Sequence, residues 1–236
     1  MYKQIINSKD YHFHYDITSN PKGRVLVIAD IHGCIKSLNA LLEKIELTKD
    51  DTLFLLGDMI NKGPCSLEVL DRIVELIYDG YNILPLKGNH ESFIIEDLDE
   101  NNQIIFIPGN EPLTEGQGKY TLNEYSLFFR QLPYYYKIEN TIMVHAWLNF
   151  EADNPLTDYE SMMWIREFEP DNIPDFRIIH GHNSSILKRI KSSVENDEMI
   201  INLDNGCYKT HKIFMGNLLC LNLTTMTLFE QPNIES

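Results

Sequence analysis

One arrangement recurs three times in the first 91 residues and constrains the fold more than any other feature of the sequence. An apolar run is followed by a short segment of polar residues and glycine, and after the first two runs a stretch with helical apolar spacing comes next. The runs cover residues 25–29, 53–56 and 83–86. Continuous apolar runs are typical of strands buried on both faces, and their alternation with helices indicates parallel pairing. We therefore expect an α/β fold with a largely parallel sheet and loops gathered at its carboxyl edge.

Further elements are expected along the rest of the chain. Apolar spacing predicts a helix over residues 38–47, and Ser66 is predicted to cap a second helix. Strands are expected at residues 134–138, 142–145, 178–180 and 199–203, with a hairpin formed by 213–223 and 225–229. A polar segment rich in glycine and proline, around residues 97–119, is predicted to be an insertion or lid. Since no linker separates two halves, residues 1–236 are expected to form a single domain.

The charge balance limits the partners that the chain is expected to bind. There are 35 Asp and Glu residues against 20 Lys and Arg residues, which gives a formal net charge of −15. Such a field repels phosphate backbones and anionic lipid, so neither a nucleic-acid polymer nor a membrane is expected as a partner. No apolar run approaches the roughly 18–20 residues of a spanning helix. The remaining class is a globular protein that binds small or protein-borne ligands.

The N-terminus and the cysteines indicate a cytoplasmic protein. The first residues contain a single early lysine and no apolar core segment, unlike a secretory signal. The four cysteines show neither paired nor dense spacing, so reduced thiols are expected in place of a disulfide framework or a structural zinc site.

Residues suited to metal binding stand where the predicted strands end. They are aspartate, asparagine and histidine side chains, with no thiolate among them: Asp30, His32, Asp58, Asn89, His90, His145, His180 and His182. Each one alone has an ordinary explanation, since an Asp after a strand is often a helix cap and a buried His is usually just hydrogen-bonded. Five strand ends that all carry ligand-type residues favour a metal site. This mixture of oxygen and imidazole donors suits Mn²⁺, Fe or Zn²⁺ better than Ca²⁺.

Five motifs in order give the chain a family resemblance. They are Asp30-Ile-His-Gly, Gly57-Asp-Met-Ile-Asn-Lys-Gly, Gly88-Asn-His-Glu, Val144-His-Ala and Gly181-His. Together these segments resemble the calcineurin-like metallophosphoesterases, and within them the phosphoprotein phosphatase branch with its bacterial and phage serine/threonine phosphatases. The likeness runs from about residue 24 to residue 207, where Leu203-Asp-Asn-Gly-Cys resembles the closing segment of that branch.

The resemblance implies a fold and a two-metal mechanism. The fold would be an α/β/β/α sandwich, in which helices flank two central mixed sheets. The first metal would be bound by Asp30, His32 and Asp58, and the second by Asp58, Asn89, His145 and His182. A water between two divalent cations loses its proton near neutral pH and becomes the nucleophile, and Mn²⁺ is the first expectation, with Fe or Zn²⁺ as alternatives. His90 would be the general acid, while His180 is expected to lie outside the ligand set.

The sequence departs from the family pattern at two neighbouring positions. The family usually has Asp and Arg where this chain has Asn61 and Lys62. Asn61 would still orient His90, but it brings no negative charge to raise the pKa of that histidine. Lys62 would bind phosphate as a point charge without the planar fork of arginine, and Arg166, in Trp-Ile-Arg, corresponds to a phosphate-binding arginine. We expect a working enzyme with altered turnover.

Three functions remain open on the sequence alone. The first is a serine/threonine protein phosphatase, a phosphomonoester hydrolase that acts on phosphorylated proteins or small phosphate esters; the segment Leu132-Pro-Tyr-Tyr-Tyr resembles bacterial enzymes of that type. The second is hydrolysis of a dinucleoside polyphosphate, such as diadenosine tetraphosphate, on the same site. The third is a relative that binds metal and phosphate without catalysis.

Overall fold

A computed structural model of the chain describes residues 12–17, 21–96, 118–166 and 175–235. These residues form two five-stranded sheets, each of which mixes parallel and antiparallel strands. Helices flank the sheets, so the α/β/β/α sandwich that the resemblance implies is confirmed. Most of the expected insertion at 97–119 lies outside the described residues.

The first sheet contains the three strands of the recurrent arrangement. These are β2 (Val25–Ile28), β3 (Thr52–Leu55) and β4 (Asn82–Pro85), which pair in parallel. The hairpin of β9 (Asn217–Asn222) and β10 (Thr227–Pro232) continues the sheet on the other side, with β9 antiparallel to β2. The strand order is β10-β9-β2-β3-β4. The carboxyl ends of β2, β3 and β4 therefore lie at one edge.

The second sheet is built from strands that are distant in the sequence. Its members are β1 (His14–Ile17), β5 (Tyr135–Ile138), β6 (Thr141–Val144), β7 (Arg177–His180) and β8 (Ile200–Asn202), in the order β1-β5-β6-β7-β8. Only the β5–β6 pair is antiparallel. Phe54 of β3 meets Tyr136 of β5 edge to face, with ring centres 5.3 Å apart. This contact joins the two sheets through a buried apolar layer.

Six helices and one short 3₁₀ turn complete the described part of the chain. The helices are α1 (Ile35–Lys44), α2 (Ser66–Tyr78), α3 (Asn89–Glu96), α4 (Leu122–Gln131), α5 (Ser161–Trp164) and α6 (Leu187–Glu195), and the turn is Pro155–Thr157. None of these helices has the length and apolarity that a membrane span requires.

Two local expectations were wrong. Ser66 does not cap α2, because Cys65 holds the cap position and the Ser66 hydroxyl accepts a hydrogen bond from the Asn61 N–H at 2.9 Å. The hairpin also begins at residue 217 and not at 213, since residues 213–214 lie in a turn and Gly216, directly before the strand, has φ +91°. Apolar residues in that turn imitate a strand pattern, although Ile213 and Phe214 are 79% and 70% exposed.

Candidate active site

Loops from both sheets meet at one place. The carbonyl of Asp58, after β3, accepts hydrogen bonds from the N–H groups of Ile31 (3.1 Å) and His32 (2.9 Å), after β2. In the second sheet the Gly181 N–H donates to the carbonyl of His145 at 2.8 Å, which joins the loops after β7 and β6. The two sets of loops meet where the N–H of His182 donates a hydrogen bond to Oδ1 of Asp30, about 150 positions away in the sequence.

The carboxylate of Asp58 lies at the centre of a buried cluster. Its Oδ2 is 3.6 Å from Nε2 of His32, and its Oδ1 is 3.4 Å from Nε2 of His145. Asp30 adds a second carboxylate, with Oδ2 3.8 Å from the same His32 nitrogen. A single carboxylate thus faces one group of ligand-type atoms with each oxygen.

The group on the Oδ1 side is tightly convergent. Nε2 of His145 is 3.1 Å from Oδ1 of Asn89 and 3.1 Å from Nδ1 of His182. All three side chains are buried. Such spacing is typical of atoms that share one coordination sphere with bonds of about 2.0–2.2 Å.

The hydrogen bonds of two histidines favour the ligand form of the ring. Nδ1 of His32 lies 3.0 Å from the carbonyl oxygen of Ile60, and Nδ1 of His145 lies 2.8 Å from that of Leu56. Since a carbonyl only accepts, each Nδ1 carries the proton, and the lone pair is left on Nε2, which faces Asp58.

The backbone around the cluster is unusual in two ways. A Cβ at Gly88 would lie 2.3 Å from Oδ1 of Asp58, and one at Gly181 would lie 2.1 Å from Oδ1 of Asp30, so glycine is required at both positions. Five non-glycine residues of the site have left-handed backbone: His32, Asp58, Asn61, Lys62 and His182, with φ between 49° and 70°. Strain of this kind concentrates at functional sites.

Among the described residues, no lysine or arginine forms an ion pair with Asp30 or Asp58. Burial raises the pKa of Asp58 well above its usual range, and the charge of Asp30 raises it further. Burial likewise raises the pKa of Asp30, with Asp204 as the next cause. Burial lowers the pKa of His32 to about 4, so this ring is neutral at pH 7. Neutral imidazoles beside crowded carboxylates are the electrostatic state that bound cations stabilise.

His90 lies against the same carboxylate but is held by a separate partner. Its Nε2 is 3.9 Å from Oδ2 of Asp58, and its Nδ1 is 3.1 Å from Nδ2 of Asn61. Burial, followed by His32, Lys62 and Arg166, lowers the pKa of His90 to about 3. The side chain is therefore fixed at one nitrogen, while the other faces the cluster.

Two exposed cations stand beside the cluster. Lys62 and Arg166 both lower the pKa of His90, which places their charges close to it. The Arg166 carbonyl accepts a hydrogen bond from Nδ2 of Asn183 at 2.6 Å, which ties the arginine to the loop that carries His182.

His180 lies outside the two clusters of potential ligands. Its side chain is buried against Trp147, with ring centres 5.3 Å apart, and its Nδ1 is 3.2 Å from the carbonyl oxygen of Gly181. Burial lowers the pKa of His180 to about 4.

One functional residue had only an ambiguous signal in the sequence. The fully buried carboxylate of Glu91 accepts backbone hydrogen bonds from Asp58 (2.8 Å), Met59 (2.8 Å) and Gly88 (2.9 Å). A Glu at the start of a helix is also explained by the positive end of the helix dipole, so its position in the sequence does not distinguish the two roles. In the structure it fixes the loop that carries Asp58.

The donor set fits divalent metal ions. The buried atoms form two overlapping groups, His32–Asp58–His90 and Asp58–His145–His182, each within 4.8 Å. Imidazole nitrogens, carboxylates and one amide oxygen suit Mn²⁺, Fe and Zn²⁺, and the lone pairs of His32 and His145 point inward. The fold and this donor set together define a candidate site for divalent metal ions.

The comparison with protein families gives the particular family. The sequence model of the calcineurin-like phosphoesterases matches residues 23–209. The chain belongs to the calcineurin-like phosphoesterase family.

Similar proteins share either a short stretch of sequence or the whole fold. A symmetrical bis(5'-nucleosyl)-tetraphosphatase of Buchnera aphidicola is 46% identical over 69 residues, which is 29% of this chain and 24% of the relative. A crystal structure of a putative diadenosine tetraphosphatase aligns with a TM-score of 0.61 and 18% identity, over 96% of this chain and 100% of the other. A protein serine/threonine phosphatase from Saccharomyces cerevisiae, similar to human phosphatase PP5, gives 0.69 and 14%, over 99% and 87%. The chain thus matches only about a quarter of the curated relative, and the two structures share its fold.

Proposed function

We propose that this chain hydrolyses phosphate monoesters with two divalent metal ions. The observation that carries the proposal is the position of Asp58, whose two oxygens face two separate groups of inward-pointing ligand atoms. A carboxylate is suited to bridge two cations because it has two oxygens. The proposed ligands are Asp30, His32, Asp58, Asn89, His145 and His182.

The protein's own side chains have distinct proposed roles. When bound, two divalent cations polarise the phosphate and lower the pKa of a coordinated water. Lys62 and Arg166 bind the phosphate oxygens and orient the ester. Nε2 of His90 donates a proton to the leaving oxygen, which avoids release of an unstabilised alkoxide.

Asn61 can support His90 in both protonation states. With Nδ2 towards His90, the amide donates to Nδ1 of the neutral ring at 3.1 Å. Oδ1 of Asn61 is buried without a hydrogen-bond partner among the described residues. If the amide turns over, this oxygen accepts the proton of Nδ1 on the charged ring. An amide thus performs the orienting role of the family's aspartate without its charge.

A phosphoserine or phosphothreonine of a protein is the first proposed substrate. Lys62 and Arg166 are exposed, which suits a phosphate carried on another protein's surface. The tyrosine-rich segment adds nothing to this choice, because the side chains of Tyr135 and Tyr136 are buried in β5.

Diadenosine tetraphosphate is the second proposed substrate. It is favoured by the activity named for the relative with 46% identity, although that match covers 29% of this chain. Parallel assays of a phosphopeptide and of diadenosine tetraphosphate separate the two candidates.

The metal mechanism is tested by Asp58→Asn, with Asp50→Asn, at an exposed loop position, as the matched control. Hydrolysis of an aryl phosphate is measured with added Mn²⁺, together with the metal content of each protein. We expect Asp58→Asn to abolish manganese-stimulated hydrolysis and to lower bound metal, while Asp50→Asn behaves as wild type. Full activity in Asp58→Asn would contradict the two-metal proposal.

We further propose that residues 1–236 act as one catalytic domain in the cytoplasm. Late residues of the chain pack into the first sheet, and Oε1 of Glu235 accepts a hydrogen bond from the Ser37 N–H at 2.8 Å. The cytoplasmic location and the choice of Mn²⁺ over Fe or Zn²⁺ stay predictions.

A further inference from the structure

Three consecutive residues after β7 serve three different parts of the site. His182 contributes Nδ1 to the buried cluster. Asn183 holds the backbone of Arg166 through a 2.6 Å hydrogen bond. The hydroxyl of Ser184 accepts a hydrogen bond from Nζ of Lys209 at 2.6 Å. A third cation is therefore fixed by the same loop that positions a proposed metal ligand and the proposed phosphate-binding arginine.

The Lys209 side chain is held along its length. It lies across Gly206, where a Cβ would be 2.8 Å from its Cδ. The Ser184 hydroxyl that accepts the hydrogen bond from Lys209 donates in turn to Oδ2 of the buried Asp204, at 2.6 Å. The Tyr208 ring lies beside the ammonium, with 5.3 Å from Nζ to the ring centre. An ordered lysine of this kind loses less conformational entropy when it binds an anion.

The ammonium of Lys209 and the proposed metal ligand His32 contact the same aromatic ring. The Tyr208 ring meets His32 edge on, with ring centres 4.8 Å apart, and the same ring lies beside Nζ of Lys209. Lys209 is therefore linked to His32, a proposed metal ligand, through the Tyr208 ring that both side chains contact.

Lys209 has no carboxylate within ion-pair distance in the described part of the chain. The same holds there for Lys62 and Arg166, in a protein with 15 more acidic than basic residues. An ammonium has three protons, and Ser184 takes one. Two N–H donors of the ammonium remain for a ligand, while its charge also acts on the buried Asp204, whose pKa burial raises and this charge lowers. One phosphate monoester already has Lys62 and Arg166, so the third cation matches an additional anionic group.

We propose that Lys209 binds a second phosphate of the substrate, joined to the one that is hydrolysed, and so selects substrates with linked phosphates. The proposal rests on the proposed function, since it assigns the substrate class of that same site, and of the two candidate substrates it favours the dinucleoside polyphosphate over the phosphoprotein. Lys209 would not act in the chemical step. It would contact the neighbouring phosphate, and Ser184 would be a positioning residue for it.

Binding of inert phosphonates tests this assignment without turnover. Calorimetry with excess Mn²⁺ gives the Kd of methylenediphosphonate and of methylphosphonate for wild type and Lys209→Met. We expect the preference for the diphosphonate to fall about tenfold in Lys209→Met, the size of one lost charge-assisted contact. Lys209→Arg should keep most of the preference, and Ser184→Ala should lose part of it.

Lys212→Met is the matched control, because Lys212 is an exposed lysine three residues along the same loop. It should retain the wild-type ratio of the two Kd values. An unchanged ratio in Lys209→Met, including equal weakening of both ligands, would overturn the proposal. The proposal would also be overturned if Lys209→Met weakened only the binding of phosphopeptides with acidic residues beside the phosphate. That result would assign Lys209 to a protein substrate. Failure of the proposed function would give a different result: wild type would not hydrolyse an aryl phosphate with Mn²⁺, whatever the ratio of the two Kd values.

Discussion

Glu91→Gln is the substitution whose effect on stability follows most directly from the structure. Oε2 of Glu91 accepts hydrogen bonds from the N–H groups of Asp58 (2.8 Å) and Gly88 (2.9 Å), and Oε1 accepts one from Met59 (2.8 Å). Glutamine keeps the shape of the side chain and replaces one oxygen with an NH₂ group. Since that group only donates, at least one of the three backbone N–H groups must lose its acceptor.

The expected loss is about 2–4 kcal/mol. A buried N–H without an acceptor costs roughly 1–3 kcal/mol, and the bonds that survive become weaker when the acceptor is neutral. Part of this is offset, because the charge of Glu91 raises the pKa of Asp58 and its removal relieves that repulsion. Burial also raises the pKa of Glu91 itself, so the ionised side chain carries a desolvation cost that the variant avoids.

Thermal unfolding in a chelator measures the effect without contributions from metal. For a chain of this size, about 2–4 kcal/mol corresponds to a fall in Tm of roughly 5–15 °C. Glu195→Gln is the matched control, since Glu195 is exposed near the end of α6 and should unfold as wild type. Equal Tm values for Glu91→Gln and wild type would refute the role of Glu91 as the support of the Asp58 loop.

Two more predictions follow from charged contacts. Asn61→Asp places a carboxylate where Nδ2 of Asn61 now lies, 3.1 Å from Nδ1 of His90. The negative charge raises the pKa of His90 and should raise kcat about tenfold near pH 7. Identical profiles of kcat against pH for variant and wild type would contradict this. Asp51→Asn should destabilise the protein by about 2 kcal/mol at pH 7, because the Asp51 carboxylate accepts two hydrogen bonds from the guanidinium of Arg24. These contacts hold the pKa of Asp51 below its usual value, so their contribution is complete above about pH 4 and is lost as the pH falls further; urea unfolding at pH 7 and pH 3 should show the difference between variant and wild type narrowing in acid.

The sequence predicts the first sheet well because its signal is local. Continuous apolar runs and the helices between them specify parallel strands, and the carboxyl ends of parallel strands share an edge. This alone places Asp30, Asp58 and Asn89 near one another. The second sheet joins β1 to β5, about 120 residues apart, and no local pattern shows which strands pair there. The sequence pattern predicts several of these strands, but only the family resemblance indicated that they form a second sheet.

The parts of the site that escaped prediction depend on contacts between loops. Glu91 meets the N–H groups of Asp58 and Met59, more than 30 residues earlier, and nothing in its own neighbourhood reveals them. Ser66 looks like a helix cap in sequence, yet its hydroxyl serves the Asn61 backbone. Lys209 follows a recognisable closing segment, but its direction depends on Gly206 and on Ser184, 25 residues before it. Tertiary geometry decides each of these cases.

The distribution of charge explains how an acidic protein can attract phosphate. Four carboxylates, Asp30, Asp58, Glu91 and Asp204, are buried at the base of the site, where bound cations would neutralise them in part. Lys62 and Arg166 are exposed and Lys209 is half-buried, and none of the three forms an ion pair with a carboxylate of the described residues. An approaching anion therefore meets exposed ammonium and guanidinium groups, and bound cations would screen the buried negative charge. Since exposed charges act over roughly 10 Å at ordinary ionic strength, the remaining acidic surface weakens this attraction only for ligands that extend beyond the site. A compact phosphate compound stays within the site and keeps the attraction, while a long polyanion extends beyond the site and is repelled.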